Sequence, residues 1–190
     1  MRKKIGFAFT GSFCCHEAVL KEFDRLVKDG FEVVPLVTNS VQTTDTRFGC
    51  AKHLISHLEK VSGNKVISTL TEAEPLGPKN LIDAIVIAPC TGNTLAELAN
   101  GISDNAVTMA TKSLMRNGKP VVIGISSNDT LGLNMQNLAK LLNTKGVYFV
   151  PFRQDNFEAK PKSLVAKWEL IEKTLKKAIR NNQIQPIINA

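Results

Sequence analysis

Three short polar clusters stand out because each directly follows a β-branched apolar run: Thr10-Gly11-Ser12, Thr38-Asn39-Ser40 and Cys90-Thr91-Gly92-Asn93-Thr94. Small hydroxyl and amide side chains of this kind donate hydrogen bonds without bringing a charge. The free N–H groups and positive dipole end of a following helix suit them to an oxyanion such as a phosphate. Ser12 either adds a hydroxyl donor to such a site or does no more than cap the helix after it. The neutral residues after Val37 suit an oxyanion better than the ribose diol of a dinucleotide, which wants an Asp or Glu there. Neither G-x-G-x-x-G nor G-x-x-x-x-G-K-[ST] occurs.

Other chemistry-bearing residues carry less. His53 and His57 sit four apart on one expected helix, a spacing that suits two ligands of one metal, but no Glu follows His53 and no third ligand is evident. His16 falls in the first turn of the first helix, where it either bonds an anion or faces solvent. Cys90 is the one thiol at a strand end of the expected site, yet Cys is commonly buried as a small apolar residue and no His is placed to activate it. Four cysteines without C-x-x-C spacing, two of them the adjacent Cys14 and Cys15, read as reduced thiols.

The elements that must position these clusters follow from periodicity. Apolar runs at Lys4–Phe9, Glu32–Val37, 65–67, 84–88, 121–125 and 147–150 predict six parallel strands. Amphipathic stretches at His16–Lys28, 51–61, 94–100, 106–117, 133–144 and 163–181 predict the helices between them, while 68–80, with Pro75, Gly77 and Pro78, reads as an irregular connection. Strands alternating with helices give a single α/β domain over 1–190, a Rossmann-like or flavodoxin-like three-layer sandwich, with the helix near 163–181 docked on it. In such a sheet ligands bind beyond the carboxyl ends of the strands, where all three clusters lie.

Length and composition agree. The chain has 190 residues, 43% hydrophobic and 22% charged, as expected for one ordinary globular fold. No apolar run reaches the length of a membrane span, and the basic start Met1-Arg-Lys-Lys precedes an apolar stretch too short for a signal peptide, so a cytoplasmic location is expected. The net charge of +7 is concentrated in 158–180, where seven basic residues face three glutamates. Leu164, Trp168, Ile171, Leu175 and Ile179 recur there at helical spacing, which reads as a docked helix with a solvated basic face rather than a nucleic-acid surface.

Small neutral donors converging from three strand ends suit a flat polar ring with a phosphate tail, which is a flavin mononucleotide (FMN) pattern. The stretch from Pro89 to Asn105 closely resembles the homo-oligomeric flavin-containing Cys decarboxylases and the flavin prenyltransferases, whose segments read P-[AC]-[TS]-x-x-T-x-x-x-x-A-N-G-x-x-D-N. The resemblance implies that Gly11, Ser12, Phe13 and Thr38 hold the FMN phosphate and ribityl. It implies that Pro89, Cys90, Thr91, Asn93 and Thr94 hold the ring end. It also implies a homo-oligomer built on trimers, for which 105–117, with Val107, Met109, Ala110, Leu114 and Met115, offers a surplus of apolar residues.

Departures from those relatives are equally specific. The His that the decarboxylases place fourteen residues before the Pro of this loop corresponds to Pro75. Their P-A-M-N after the fifth strand becomes Ile125-Ser126-Ser127-Asn128, which keeps the Asn, and the phosphate-binding Arg of the prenyltransferases corresponds to Ser126. Asn128, helped by Ser127 and Ser126, is the expected donor to a substrate carboxylate, although Asn128-Asp129-Thr130 also reads as a turn. Across the full chain, including Gly6-Phe-Ala-Phe-Thr-Gly-Ser12 and Val147-Tyr-Phe-Val-Pro-Phe152, the resemblance to flavoproteins of this group implies an FMN-dependent oxidoreductase subunit acting on a small dicarboxylate together with a separate dinucleotide-binding chain. The rival reading is a non-catalytic FMN-binding assembly subunit, and a decarboxylase remains open.

Overall fold

The β-branched runs are too apolar to leave either face in water, and in the computed structural model, which describes residues 3–188, they are stacked between two helical layers. Met1 and Arg2 of the basic start lie outside the described residues. The chain runs β1 (Lys4–Phe9), α1 (His16–Lys28), β2 (Glu32–Val37), α2 (Asn39–Thr43), α3 (Ala51–Ser62), α4 (Leu70–Ala73) and β3 (Ala84–Cys90). It continues with α5 (Gly92–Ala99), α6 (Ala106–Arg116), β4 (Val121–Ser127), α7 (Met135–Leu142), β5 (Val147–Phe149), β6 (Phe152–Gln154), β7 (Leu164–Ala166) and α8 (Ile171–Ala178).

The sheet order is β2-β1-β3-β4-β7-β6, with β5 also paired to β4. Strands β1 to β5 are parallel, and β7 runs antiparallel to both β4 and β6. One apolar layer, including Ile85, Ile87, Leu95, Val107 and Leu114, lies under α5, α6 and α7. The other, including Phe7, Phe9, Phe23, Leu58 and Leu175, lies under α1, α3 and α8. Because β1 sits between β2 and β3, the connections leaving β1 and β3 diverge at their carboxyl ends and open a crevice there. Among the described residues no helix is long and apolar enough to cross a membrane.

Four segments depart from the sequence expectation. Residues 65–67 do not form a full strand; Ile67 alone bridges Leu36 on the outer edge of β2. The connection 68–80 is more regular than expected. Thr69 and Glu72 close a capping box over α4, and a 3-10 turn spans Glu74–Leu76. Residues 163–181 are not one helix: Leu164 and Ala166 are buried with Val165 between them, a period of two, and this piece pairs with Ser126 and Ser127. The basic helix shortens to α8, which buries Ile171, Leu175 and Ala178 and leaves Lys173, Lys176, Lys177 and Arg180 outside that buried face. Finally, the apolar residues of α6 face the core of this chain. Val107, Ala110 and Leu114 are buried in the core, and Met109 and Met115 pack against it while staying partly exposed.

Candidate functional site

The crevice begins with the hydrogen bonds that fasten the ends of β1 and β3 together. Thr10, fully buried after β1, donates its hydroxyl to the Pro89 carbonyl at 2.6 Å and accepts from the Thr91 N–H at 3.0 Å. Thr91 then caps α5, its Oγ1 accepting from the Thr94 N–H at 3.1 Å. On the other side, Thr38 leads into α2 with its hydroxyl 3.0 Å from that of Ser40.

The resulting space of about 440 Å³ is lined by Gly11 and Phe13 after β1, by Thr38, Asn39 and Ser40 after β2, by Thr91, Asn93, Thr94 and Glu97 on α5, and by Asp104 and Asn105 before α6. Small-molecule and cofactor sites span about 300–1,000 Å³, so the space has the right scale. A methyl group on Gly11 would stand 3.5 Å from Ser40 Oγ and 3.8 Å from Phe13 and Thr91, narrowing the wall without clashing with it. Among the described residues no Lys or Arg lines the crevice. Its donors are hydroxyls, amides and backbone N–H groups, and its charged side chains are the carboxylates of Glu97 and Asp104.

Six of the nine cofactor residues expected from sequence line this space: Gly11, Phe13, Thr38, Thr91, Asn93 and Thr94. Ser12, Pro89 and Cys90 do not. A 3-10 turn at Phe13–Cys15 separates Ser12 from α1, and the Ser12 hydroxyl donates at 2.8 Å to the Ser126 carbonyl, tying the β1 loop to β4. Pro89 contributes its carbonyl to Thr10. Cys90 is fully buried among core residues, and burial pushes its thiol pKa far up. His16 does not face solvent: it is buried, its Nε2 lies 2.8 Å from the Thr10 carbonyl oxygen, its ring packs against Phe9 and Phe13, and burial lowers its pKa. His57 pairs with Asp24 at 2.8 Å, and no group of three His, Cys, Asp or Glu among the described residues is arranged to hold a metal.

Asn128 is exposed and outside the crevice, with Ser163 donating to its Oδ1 at 3.5 Å. The Ser127 hydroxyl donates to Asp129 Oδ1 at 2.5 Å, and Ser126 Oγ lies 3.2 Å from Cys15 Sγ. These groups form a separate cluster behind α5. Asn134 also donates to Asp129, and a Cβ on Gly92 would fall within 2.7–2.8 Å of Ser127 Oγ, Asn134 Nδ2 and Asp129 Oδ1. Ser127, Asp129 and Asn134 seat the start of α5, and Asn128 and Asp129 remain exposed beside it.

Five further residues line the crevice: Asn39 and Ser40, which belong to the polar cluster after Val37, Asn105, which ends the stretch read from Pro89, and Glu97 and Asp104, which the sequence reading did not single out. Glu97 accepts from Asn93 at 2.6 Å and from Asn105 at 3.2 Å, while Asn105 caps α6 through the N–H groups of Val107 and Thr108. Desolvation, helped by the Asp104 charge, raises the Glu97 pKa against the two amide bonds that lower it. The spacing Asn93 to Glu97, one turn apart, is the signal in the sequence that points to this clamp.

The Flavoprotein family matches residues 1–182. The B subunit of dipicolinate synthase from Bacillus subtilis (strain 168) is 48% identical over 186 residues, covering 98% of this chain and 93% of that protein. The crystal structure of the B subunit of dipicolinate synthase from Bacillus halodurans C superposes with a TM-score of 0.91 at 45% identity, covering 100% of this chain and 99% of that one. A crystal structure of AnUbiX in complex with FMN and dimethylallyl pyrophosphate shares the fold at a TM-score of 0.61 and 17% identity, over 80% of this chain and 78% of that one. With the crevice at the divergence of β1 and β3 and a match along almost the whole chain, the protein belongs to the Flavoprotein family.

Proposed function

We propose that this chain is an FMN-binding subunit of a dipicolinate synthase, acting with an A subunit in the oxidation of dihydrodipicolinate to dipicolinate. The observation that carries the reading is the three-loop crevice of neutral donors, in a chain 48% identical to a protein named for that enzyme. Of the expected set, Gly11, Phe13, Thr38, Thr91, Asn93 and Thr94 are the residues that would hold the cofactor, joined by Ser40 and Asn105. The hydroxyls of Thr38 and Ser40 and the first-turn N–H groups of α5 suit a phosphate, and the amides of Asn93 and Asn105, anchored by Glu97, suit a polar ring edge. FMN, when bound, supplies a two-electron acceptor, which is what aromatising a dihydropyridine requires. Absence of a dinucleotide fingerprint from this chain is the reason to assign nicotinamide or other dinucleotide binding to the A subunit. A homo-oligomer built on trimers, a single functional unit over 1–190 and work in the cytoplasm of a sporulating mother cell complete the proposal.

The test is reconstitution of the purified chain with excess FMN, desalting, and a dihydrodipicolinate assay with and without the A subunit. A stoichiometric yellow protein whose flavin is bleached by substrate supports the reading. A colourless protein removes the crevice assignment, and a yellow protein that substrate never bleaches, even with the A subunit, makes it a cofactor-holding assembly subunit.

A further inference from the structure

Cys14 and Cys15 set two thiols side by side in the connection between β1 and α1, and neither lines the crevice. Their sulfurs lie 3.9 Å apart. Cys14 is exposed and Cys15 is half-buried, its Sγ 3.2 Å from the Ser126 hydroxyl, so one thiol is open to a reagent while its neighbour is held against β4. Two thiols at this range can share one atom.

The geometry decides what kind of atom. A direct sulfur–sulfur bond would have to close the gap to about 2.05 Å across Cα atoms about 3.8 Å apart, shorter than the roughly 4.4–6.8 Å that disulfides span. A bridging atom avoids that strain. Two bonds of about 2.3 Å, the length sulfur makes to zinc, reach across 3.9 Å at an angle of about 116°, between tetrahedral and trigonal. A zinc ion wants four ligands, however, and among the described residues no group of three His, Cys, Asp or Glu is placed to hold one. A cation would also need both thiols ionised, whereas burial, with smaller help from Cys14 and Asp155, pushes the Cys15 thiol up to about 11 against the hydrogen bond from Ser126. A soft centre that brings its own substituent and condenses with neutral thiols meets neither obstacle.

We propose that Cys14 and Cys15 form a dithiol site for monosubstituted arsenic(III) compounds, R–As(OH)2, with both sulfurs bound to one arsenic. Two S–H and two As–O bonds break, two As–S bonds form, and two water molecules leave. Arsenic stays trivalent, and no charge is left at the half-buried Cys15. Rotation of the exposed Cys14 side chain trims the gap for a pyramidal centre. Cys50 and Cys90 have no adjacent cysteine, and Cys90 is fully buried, so neither offers a second site of this kind. The site is independent of the FMN reading.

The test is titration of the reduced full chain with phenylarsine oxide, removal of excess reagent, intact mass spectrometry, and a count of the remaining free thiols. One phenylarsenic group per chain and loss of two of the four thiols are expected. Excess glutathione, a monothiol, should leave the adduct in place, and 2,3-dimercaptopropanol should remove it. Cys14→Ser and Cys15→Ser should each weaken binding by at least about a hundredfold, the low end of what a second linked contact contributes. Cys50→Ser should bind as the wild type does. Cys14 is exposed, so its variant should keep the wild-type melting temperature, and the test stands on it even where Cys15→Ser fails to fold. A stoichiometric adduct that survives in Cys14→Ser, an adduct lost in Cys50→Ser, one that glutathione strips, or no adduct on the reduced chain would each overturn the proposal.

Discussion

The hydroxyl of Thr10 spans the gap between β1 and β3, donating to the Pro89 carbonyl at 2.6 Å while accepting the Thr91 N–H at 3.0 Å. One side chain thereby fixes the relative height of the two loops that face each other across the crevice.

Thr10→Val keeps the shape and removes both bonds, stranding a carbonyl and an N–H at a fully buried side chain. A destabilisation of about 1–3 kcal/mol is expected, measured by urea denaturation. Unchanged stability would mean that the loops are held by something other than this hydroxyl.

Gly92→Ala places a methyl within 2.7–2.8 Å of polar atoms of Ser127, Asn134 and Asp129, whose side chains are joined through the two Asp129 oxygens. Overpacking of this kind costs about 1–3 kcal/mol. Adding Ser127→Gly removes one of the three obstacles and should recover part of that loss in thermal melts.

Glu97 has a folded-state pKa raised by desolvation, so its contribution to stability is fully present below the ordinary glutamate value and is lost as pH rises through the raised one. Glu97→Gln should flatten this part of the stability profile above the ordinary glutamate pKa and make the variant relatively more stable at the upper end, since Gln carries no charge to desolvate. Denaturation midpoints at both ends of the window, compared with wild type, measure it. Parallel profiles for the two proteins would show that Asn93 and Asn105 fully offset the burial.

Thiol labelling should follow burial. Cys14 is exposed, Cys15 is part-buried with its pKa pushed up to about 11 by desolvation, and Cys90 is fully buried. Iodoacetamide at about pH 8, close to the ordinary thiol pKa, should modify Cys14 well before Cys15, and Cys90 only after denaturant is added, as read by peptide mass spectrometry. Early labelling of Cys90 would mean that β3 opens at its carboxyl end.

Local residue pattern was enough to specify the inner strands and the three polar clusters at their ends. A parallel strand covered on both faces has to be a continuous apolar run, and the hydroxyl residues that break each run mark where it meets the surface. That local logic located Gly11, Thr38 and Thr91–Thr94, although the buried Gly92 drops out of the crevice lining once the chain is folded. Which side chains face the crevice depended instead on packing between distant segments. The register between β3 and β4 shifts between Ile87 and Cys90, so strand alternation does not reveal that Cys90 points into the core. Residues 164–166 form a strand because β4 extends past β5 and leaves Ser126 and Ser127 free to pair, which no local pattern specifies. His16 and the pair His53 and His57 share a cavity only because α1 packs beside α3, a contact between segments more than thirty residues apart that depends on how both helices cover the same face of the sheet.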